Sequence, residues 1–342
     1  MNSLRSSLIL TASLVSAGLT LSACGTNPLL HGQEIESMGN AQPVQSPASD
    51  SPAGQVVDFP AVIDVEAAGD TVAVRTADAL VVGTPSQLQS GQAREFDIDP
   101  NCGDLTSSGD KFWLACVEKL LSFPTTGSTG PATLEVDEDF PVTAVAQLST
   151  GEIFVGSNQE ATVSVYLNGE KTDTFSVAAP TDQLVAVHNT DGVDNVVRTW
   201  GEDTTIQSLD WRNSREGGRL RVGKGVGQIS AGNHGVVVAS DALGERVAIY
   251  TAQDVVRLHQ FGNAPGQPWA AAWDSSRQLA WVSDLKNNQA QAFEISTGVP
   301  VDKGRIATVA DARTMAVTDK GTVVLGSATG DGLQLVTDPQ LD

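Results

Sequence analysis

Basic residues are scarce in this chain. It holds 20 Lys and Arg against 41 Asp and Glu, a formal net charge of −21. With no basic excess to replace counterions around phosphates, the composition argues against nucleic acid as a partner. It argues equally against broad electrostatic docking of the folded body on an anionic membrane. Histidine is scarce too, and His31, His188, His234 and His259 have no second His or carboxylate at metal-ligand spacing. The patterns HExxH, GxSxG and GxxxxGK[ST] are absent. "GKGVGQ" (223–228) has the glycines of a phosphate cradle, but it leads into a strand, whereas a cradle needs a helix N-terminus. Aromatics make up only 5% of the chain, yet the 40% hydrophobic fraction suits a globular protein with a sizeable core. No convincing helical stretch follows Asp58.

The first residues read as a processing segment. "MNSLR" carries one positive side chain, Arg5, before the apolar run "LILTASLVSAGLTL" (8–21), which is too short for a comfortable membrane span. "LSAC" (21–24) then has the form of a lipobox: Leu, two small residues beside the scissile bond, and a Cys whose thiol receives diacylglycerol. This predicts a cleaved signal peptide over 1–23 and a mature chain beginning at lipidated Cys24. Two or three acyl chains, palmitate among them, hold a protein on a membrane far better than one. Residues 25–55, rich in Gly, Pro, Ser, Asn and Gln, read as a flexible tether, so 24–57 is assigned to anchor and linker and 58–342 to the folded domain.

The folded domain repeats a small turn followed by a short apolar run. "AAGDTVAVRT" from Ala67, "SSGDKFWLAC" from Ser107, "STGEIFVGSN" from Ser149, "AGNHGVVVAS" from Ala231 and "TDKGTVVLGS" from Thr318 are copies of one unit. Gly69, Gly109, Gly151, Gly192, Gly235, a position near Arg277, and Gly321 mark a beat with intervals of 40, 42, 41, 43, 42 and 44 residues. A period of that length, holding four strands, is the beat of a β-propeller, here all-β with seven four-stranded blades. The last unit is one strand short, and "GQVVDF" (54–59) is the segment that can supply it and latch the ring. Cys102 and Cys116, centred on Gly109, face each other across one hairpin and are expected to form a disulfide in an exported protein.

Candidate chemistry lies on one rim. Asp58, Asp99, Asp139 and Asp311 precede inner strands, while Glu160, Glu202, Asp203, Asp241, Asp284 and Asp331 follow second strands. A closed ring places them on one face, where carboxylates could hold a hard cation such as Ca²⁺ or attract a cationic partner; the bland alternative is a solvated acidic rim. No DxDxDG spacing makes a calcium loop specific. "WRNSREGGRLRVGKG" (211–225) departs from the acidic average with Arg212, Arg215, Arg219, Arg221 and Lys224. It reads either as cationic guarding of an outer edge strand or as a docking patch for an acidic protein or lipid headgroups. Trp113, Trp200, Trp211, Trp269, Trp273 and Trp281 are the walls available to a ligand pocket, although interblade packing is their default role.

The lipobox followed by "CGTNPL" (24–29), the strand "LAWVSD" (279–284), "ISTGVPVDKGRIATV" (295–309) and the closing "LGSATGDGLQLV" (325–336) resemble the LppL-type lipoproteins of mycobacteria and corynebacteria. The resemblance runs over most of the mature chain. It implies an actinobacterial, membrane-anchored propeller of the WD40/YVTN-like kind on the extracytoplasmic side. It implies no reaction and no cofactor, and Cys24 is the one residue it carries over. Sequence and resemblance together favour a monomeric, non-catalytic interaction scaffold of the cell envelope. The competing readings are a small-ligand or divalent-cation binding lipoprotein, and a lactonase-like propeller hydrolase.

Overall fold

The computed structural model describes residues 38–127, 129–190 and 192–341. Cys24, His31 and the expected signal peptide lie outside them. Strand β1 spans Gln55–Val57. The first blade is β2 (Asp64–Ala68), β3 (Thr71–Arg75), β4 (Ala79–Gly83) and β5 (Arg94–Asp97). The second is β6 (Leu105–Ser108), β7 (Lys111–Cys116), β8 (Lys119–Pro124) and β9 (Ala132–Glu135), and the third is β10 (Ala144–Gln147), β11 (Ile153–Gly156), β12 (Thr162–Leu167) and β13 (Glu170–Ser176). The fourth is β14 (Gln183–Val187), β15 (Asn195–Trp200), β16 (Thr205–Asp210) and β17 (Arg215–Arg221), and the fifth is β18 (Val226–Ala231), β19 (Val236–Asp241), β20 (Arg246–Thr251) and β21 (Arg257–Asn263). The sixth is β22 (Pro268–Asp274), β23 (Leu279–Asp284), β24 (Gln289–Glu294) and β25 (Val301–Ala307). The seventh holds β26 (Ala312–Val317), β27 (Val323–Ser327) and β28 (Leu333–Val336). Seven four-stranded antiparallel sheets result, each built from consecutive strands except the last. This is a seven-bladed β-propeller.

The exception is the latch. β1 pairs antiparallel with β28, setting Gln55 opposite Leu335 and Val57 opposite Leu333, so the N-terminal strand completes the seventh blade. A blade is apolar on both faces and must be covered on both. Every residue of β3, β11, β23 and β27 is accordingly buried. Phe112 and Phe123 of the second blade pack on Ala73, Leu80 and Val82 of the first. The outermost strands β13, β17, β21 and β25 are mostly exposed, which is where the charged residues of each repeat fall.

The repeated turn has one conformational requirement. Gly69, Gly109, Gly151, Gly192, Gly235 and Gly321 all have φ between 59° and 104°. In the sixth unit that position is Gln278, at φ 57°, one residue past Arg277. Glycine recurs because only it adopts this backbone without cost. One short helix, α1 (Pro85–Ser90), interrupts the first blade; Thr84 and Gln87 form its capping box, and Leu88 alone is buried.

The disulfide joins Cys102 and Cys116, with Cα atoms 4.0 Å apart, but not by simple opposition. The β6–β7 ladder runs from Ser108 opposite Lys111 to Leu105 opposite Leu114, one residue off the register that would face the two cysteines. Val117 bridges to Val142 instead, and Cys102 turns back, its N–H on the Asp99 carbonyl at 3.0 Å. That turn brings the sulfurs together beyond the ladder's end.

Of the 24–57 segment expected as anchor and linker, the described part is held against the propeller. Residues 38–54 lie along the propeller as a strap. Gly39 N–H donates to the Lys224 carbonyl and Asn40 N–H to that of Gly201, both at 2.6 Å. Gln267 clasps the chain from both sides, accepting from Val44 N–H at 2.7 Å and donating to the Gln42 carbonyl at 3.0 Å. Ser46 N–H meets Asp311 at 3.2 Å, Asn288 reaches the Pro47 carbonyl at 2.8 Å, and Ala53 N–H reaches the Ala307 carbonyl at 2.9 Å. A Pro-, Ser- and Gln-rich stretch has few apolar side chains to bury, but its backbone can still be held bond by bond.

Because β1 closes the ring, a chain beginning at Asp58 should melt lower than one beginning at Met38 by more than about 5 °C in a thermal scan. Equal melting temperatures would show that the first and seventh blades hold together without the latch.

Candidate functional site

Six residues after the turn, at or near the end of the second strand, four of the blades carry a charged side chain that fastens the rim. In the fifth blade it is Asp241, fully buried, whose carboxylate accepts from Lys224, Gly225 and Gly244 N–H at 2.8, 3.0 and 3.0 Å and pairs with Arg246 at 2.8 Å. In the sixth it is Asp284, accepting from Gln267 and Lys286 N–H, both at 3.0 Å. In the first and fourth it is an arginine. Arg75 donates to the carbonyls of Gly103, at 2.6 Å, and Cys102; Arg198 donates to those of Pro180, at 3.0 Å, and Ala179. Asp and Arg thus do one job with opposite polarity, since either can hold the backbone of an incoming loop.

The acidic rim therefore does not assemble as a set. Asp241 and Asp284 are consumed in these contacts. Asp311 is buried as well, bound to Ser46 N–H of the strap, to Arg313 at 2.7 Å and to the Thr329 hydroxyl at 3.3 Å. Asp58, Asp99 and Asp139 are exposed on separate loops, and Asp99 caps the N–H of Asn101 at 2.8 Å. Among the described residues, no three of His, Cys, Asp or Glu are placed to hold a metal ion, so the expected Ca²⁺ site gains no ligand set. The basic segment lies on β17 and the turn before it. Arg215 pairs with Asp210 at 2.6 Å, Arg219 with Asp203 at 3.6 Å, and Arg212 stacks on Trp211 at 4.2 Å; Arg221 is exposed.

Carboxylates do converge elsewhere, inside the central channel. Asp64 and Glu66 alternate on β2 and so project to the same side, into a cavity of about 270 Å³ along the axis. Asp104 comes from the loop entering β6. Asp64 accepts from Val65 N–H at 2.8 Å, Thr314 hydroxyl at 3.1 Å and Leu105 N–H at 3.3 Å, and Glu66 accepts from the Ser107 hydroxyl at 3.1 Å. Burial pushes Asp64 up, opposed by those hydrogen bonds and by Arg75. Burial, and then the charge of Asp64, push Glu66 up to about 8. Burial and the charges of Asp64 and Glu66 raise Asp104 well above the usual range. At neutral pH the three groups carry fewer than three charges. The signal was available: in "IDVEAAGD" two acids sit two apart on an inner strand, where one face must line the axis.

The opposite end of the channel holds His188, whose Nδ1 lies 3.0 Å from buried Asp194. The sequence reading found no carboxylate for this histidine because the hairpin, not the spacing, brings Asp194 to it. Among the described residues, no hydroxyl or thiol hydrogen-bonds to His188, so no nucleophile is activated there.

A wider cavity of about 680 Å³ opens at the strap side, sharing Asp64 and Gln228 with the channel. Trp200 and Trp269 line it, together with Asp104, Asp182 and Glu202, and strap residues 40–43 form part of its wall. Asp182 accepts from Gly201 N–H at 2.7 Å and is raised by burial. Of the remaining tryptophans, Trp281 is fully buried in the core between the sixth and seventh blades. Trp113 and Trp273 are tied by their indole N–H to Gln147 and Asn233, both at 2.9 Å.

No protein-family model matches the chain, and no curated protein matches it either. Solved structures do. A chain in the crystal structure of a mitotic checkpoint complex superposes with TM-score 0.64 at 11% identity, covering 98% of each chain. The WD40 β-propeller domain of Doa1 superposes with TM-score 0.58 at 14% identity, over 85% of this chain and 95% of that one. At such identities the likeness establishes the fold. It is WD40-like.

Glu66 makes the channel sensitive to pH. Its folded pKa is about 8 against an ordinary 4.5, so the protonated form is favoured by folding. The stability this adds is complete below pH about 4.5 and is lost as pH rises through about 8. Glu66→Gln should match the wild type in melting temperature at pH 5 and exceed it by about 2–4 °C at pH 9. Parallel profiles across that range would mean that Glu66 ionises freely.

Proposed function

We propose that the protein is a cell-membrane lipoprotein, anchored through Cys24 with its propeller on the extracytoplasmic side. In this reading it acts as a non-catalytic interaction scaffold that presents the strap face. The observation carrying this reading is the path of the strap. The described chain begins beside Lys224 and Gly201, at the rim where the loops entering the inner strands cluster. Fewer than fifteen residues separate Cys24 from Met38, a reach of at most roughly 50 Å when fully extended. An anchor at Cys24 would hold that face near the lipid, where a membrane partner could meet it. One structural neighbour is part of a multiprotein complex, which supports the scaffold reading at the level of fold.

The local pairing of Arg215 and Arg219 with acids supports the edge-guarding role of β17 over docking. A hydrolase reading lacks support, since among the described residues there is no metal-ligand set and no hydroxyl or thiol hydrogen-bonded to His188. A second reading, small-ligand binding, is favoured by one specific observation: Trp200 and Trp269 line the same open cavity.

In-membrane crosslinking of the native protein, with Cys24→Ala as control, tests the scaffold. A reproducible envelope protein should be captured with the wild type and lost with the variant, which should also leave the membrane fraction. Retention of Cys24→Ala in the membrane would overturn the anchor; capture of nothing specific would overturn the scaffold.

A further inference from the structure

We infer that the strap-side cavity binds a small organic cation, an ammonium or guanidinium group carried on an apolar body. The inference rests on the ligand-binding reading of that cavity and names the class of ligand. Its volume, about 680 Å³, lies in the range of small-molecule sites. Its walls supply two chemistries. Trp200 and Trp269 are half-buried, and among the described residues neither indole N–H has a hydrogen-bond partner, unlike those of Trp113 and Trp273. Their rings offer apolar surface and the negative π-face that a cation seeks.

The second chemistry is charge. Asp64, Asp104, Asp182 and Glu202 line the cavity against one basic side chain, Arg75. Arg75 is 6% exposed, and its two terminal nitrogens are committed to the carbonyls of Gly103 and Cys102. An anion would meet four carboxyl groups and a single buried guanidinium already bonded to two loop carbonyls. A bare divalent ion would find no triad of His, Cys, Asp or Glu ligands among the described residues. Glu202 makes no hydrogen bond or ion pair with any described residue, so its carboxylate is available to an incoming donor. Burial raises Asp64, Asp104 and Asp182, and a cation entering beside them favours their ionised forms, so the site gains charge as it fills. A low-dielectric mouth lined by one sign of charge also concentrates the oppositely charged ligand.

The test is calorimetric titration of the full chain in detergent with choline and with spermidine. The neutral choline isostere 3,3-dimethyl-1-butanol and CaCl₂ alone serve as comparisons. At least one organic cation should saturate below about 1 mM. Glu202→Gln, at an exposed side chain with no internal contact to lose, should weaken it about tenfold with an unchanged melting temperature, and Trp269→Leu should weaken it likewise. Equal binding of the neutral isostere would overturn the charge assignment while leaving a ligand cavity. Displacement of the organic cation by Ca²⁺ at equal concentration would overturn it in favour of a metal site. No saturation by any probe up to about 10 mM would overturn this inference and the small-ligand reading together.

Discussion

The pairing of β1 with β28 brings the two ends of the folded chain into one sheet, and the rest of the molecule depends on that closure. Without it the seventh blade would be a three-stranded sheet with an open outer edge, and nothing in its own repeat would complete it. With it, the first and last blades meet. Val65 N–H donates to the Thr314 hydroxyl at 2.8 Å, and that hydroxyl donates to Asp64 at 3.1 Å. The channel, its carboxylates and the cavity at its mouth are all products of a ring that closes.

Closure also sets the electrostatics. Strand β2 carries two acids toward the axis, and the narrowing of seven inner strands keeps water from screening them fully. The consequence is protonation rather than a metal cage: Glu66 reaches about 8 because burial and Asp64 both oppose its ionisation. At the rim, by contrast, the buried acids have become fasteners. Asp241 and Asp284 tie backbone N–H groups of the loops between blades, and Asp311 ties that of Ser46 in the strap. An acidic composition therefore serves three ends in one molecule: solvation outside, fastening at the rim, and charge within the channel.

The strap links these parts to the upstream chain. It is held by carbonyls and side chains of the fourth to seventh blades, and its first residues wall the cavity that carries Trp200 and Trp269. A propeller fold alone selects neither a scaffold nor a ligand carrier, because function resides in the sites placed on it. Here the distinguishing features are this chain's own residues.

The sequence by itself determined the ring. The glycine beat, the alternation of small apolar strands and the missing last strand are local facts, and each constrains a backbone or a face that must be buried. The pairing partners of Cys102 and Cys116 were legible for the same reason, although the register that joins them was not, because a turn at Asp99 lies outside the ladder logic. Only the tertiary structure decided which acids converge. Asp64, Glu66 and Asp104 come from two blades, Asp194 reaches His188 through a hairpin, and Trp200 and Trp269 come from blades four and six. Likewise, only the folded rim reveals that the Pro- and Ser-rich stretch from Met38 is bound. Periodicity records what one strand buries; it carries no information on which side chains of distant blades share an axis, since that depends on closing the circle.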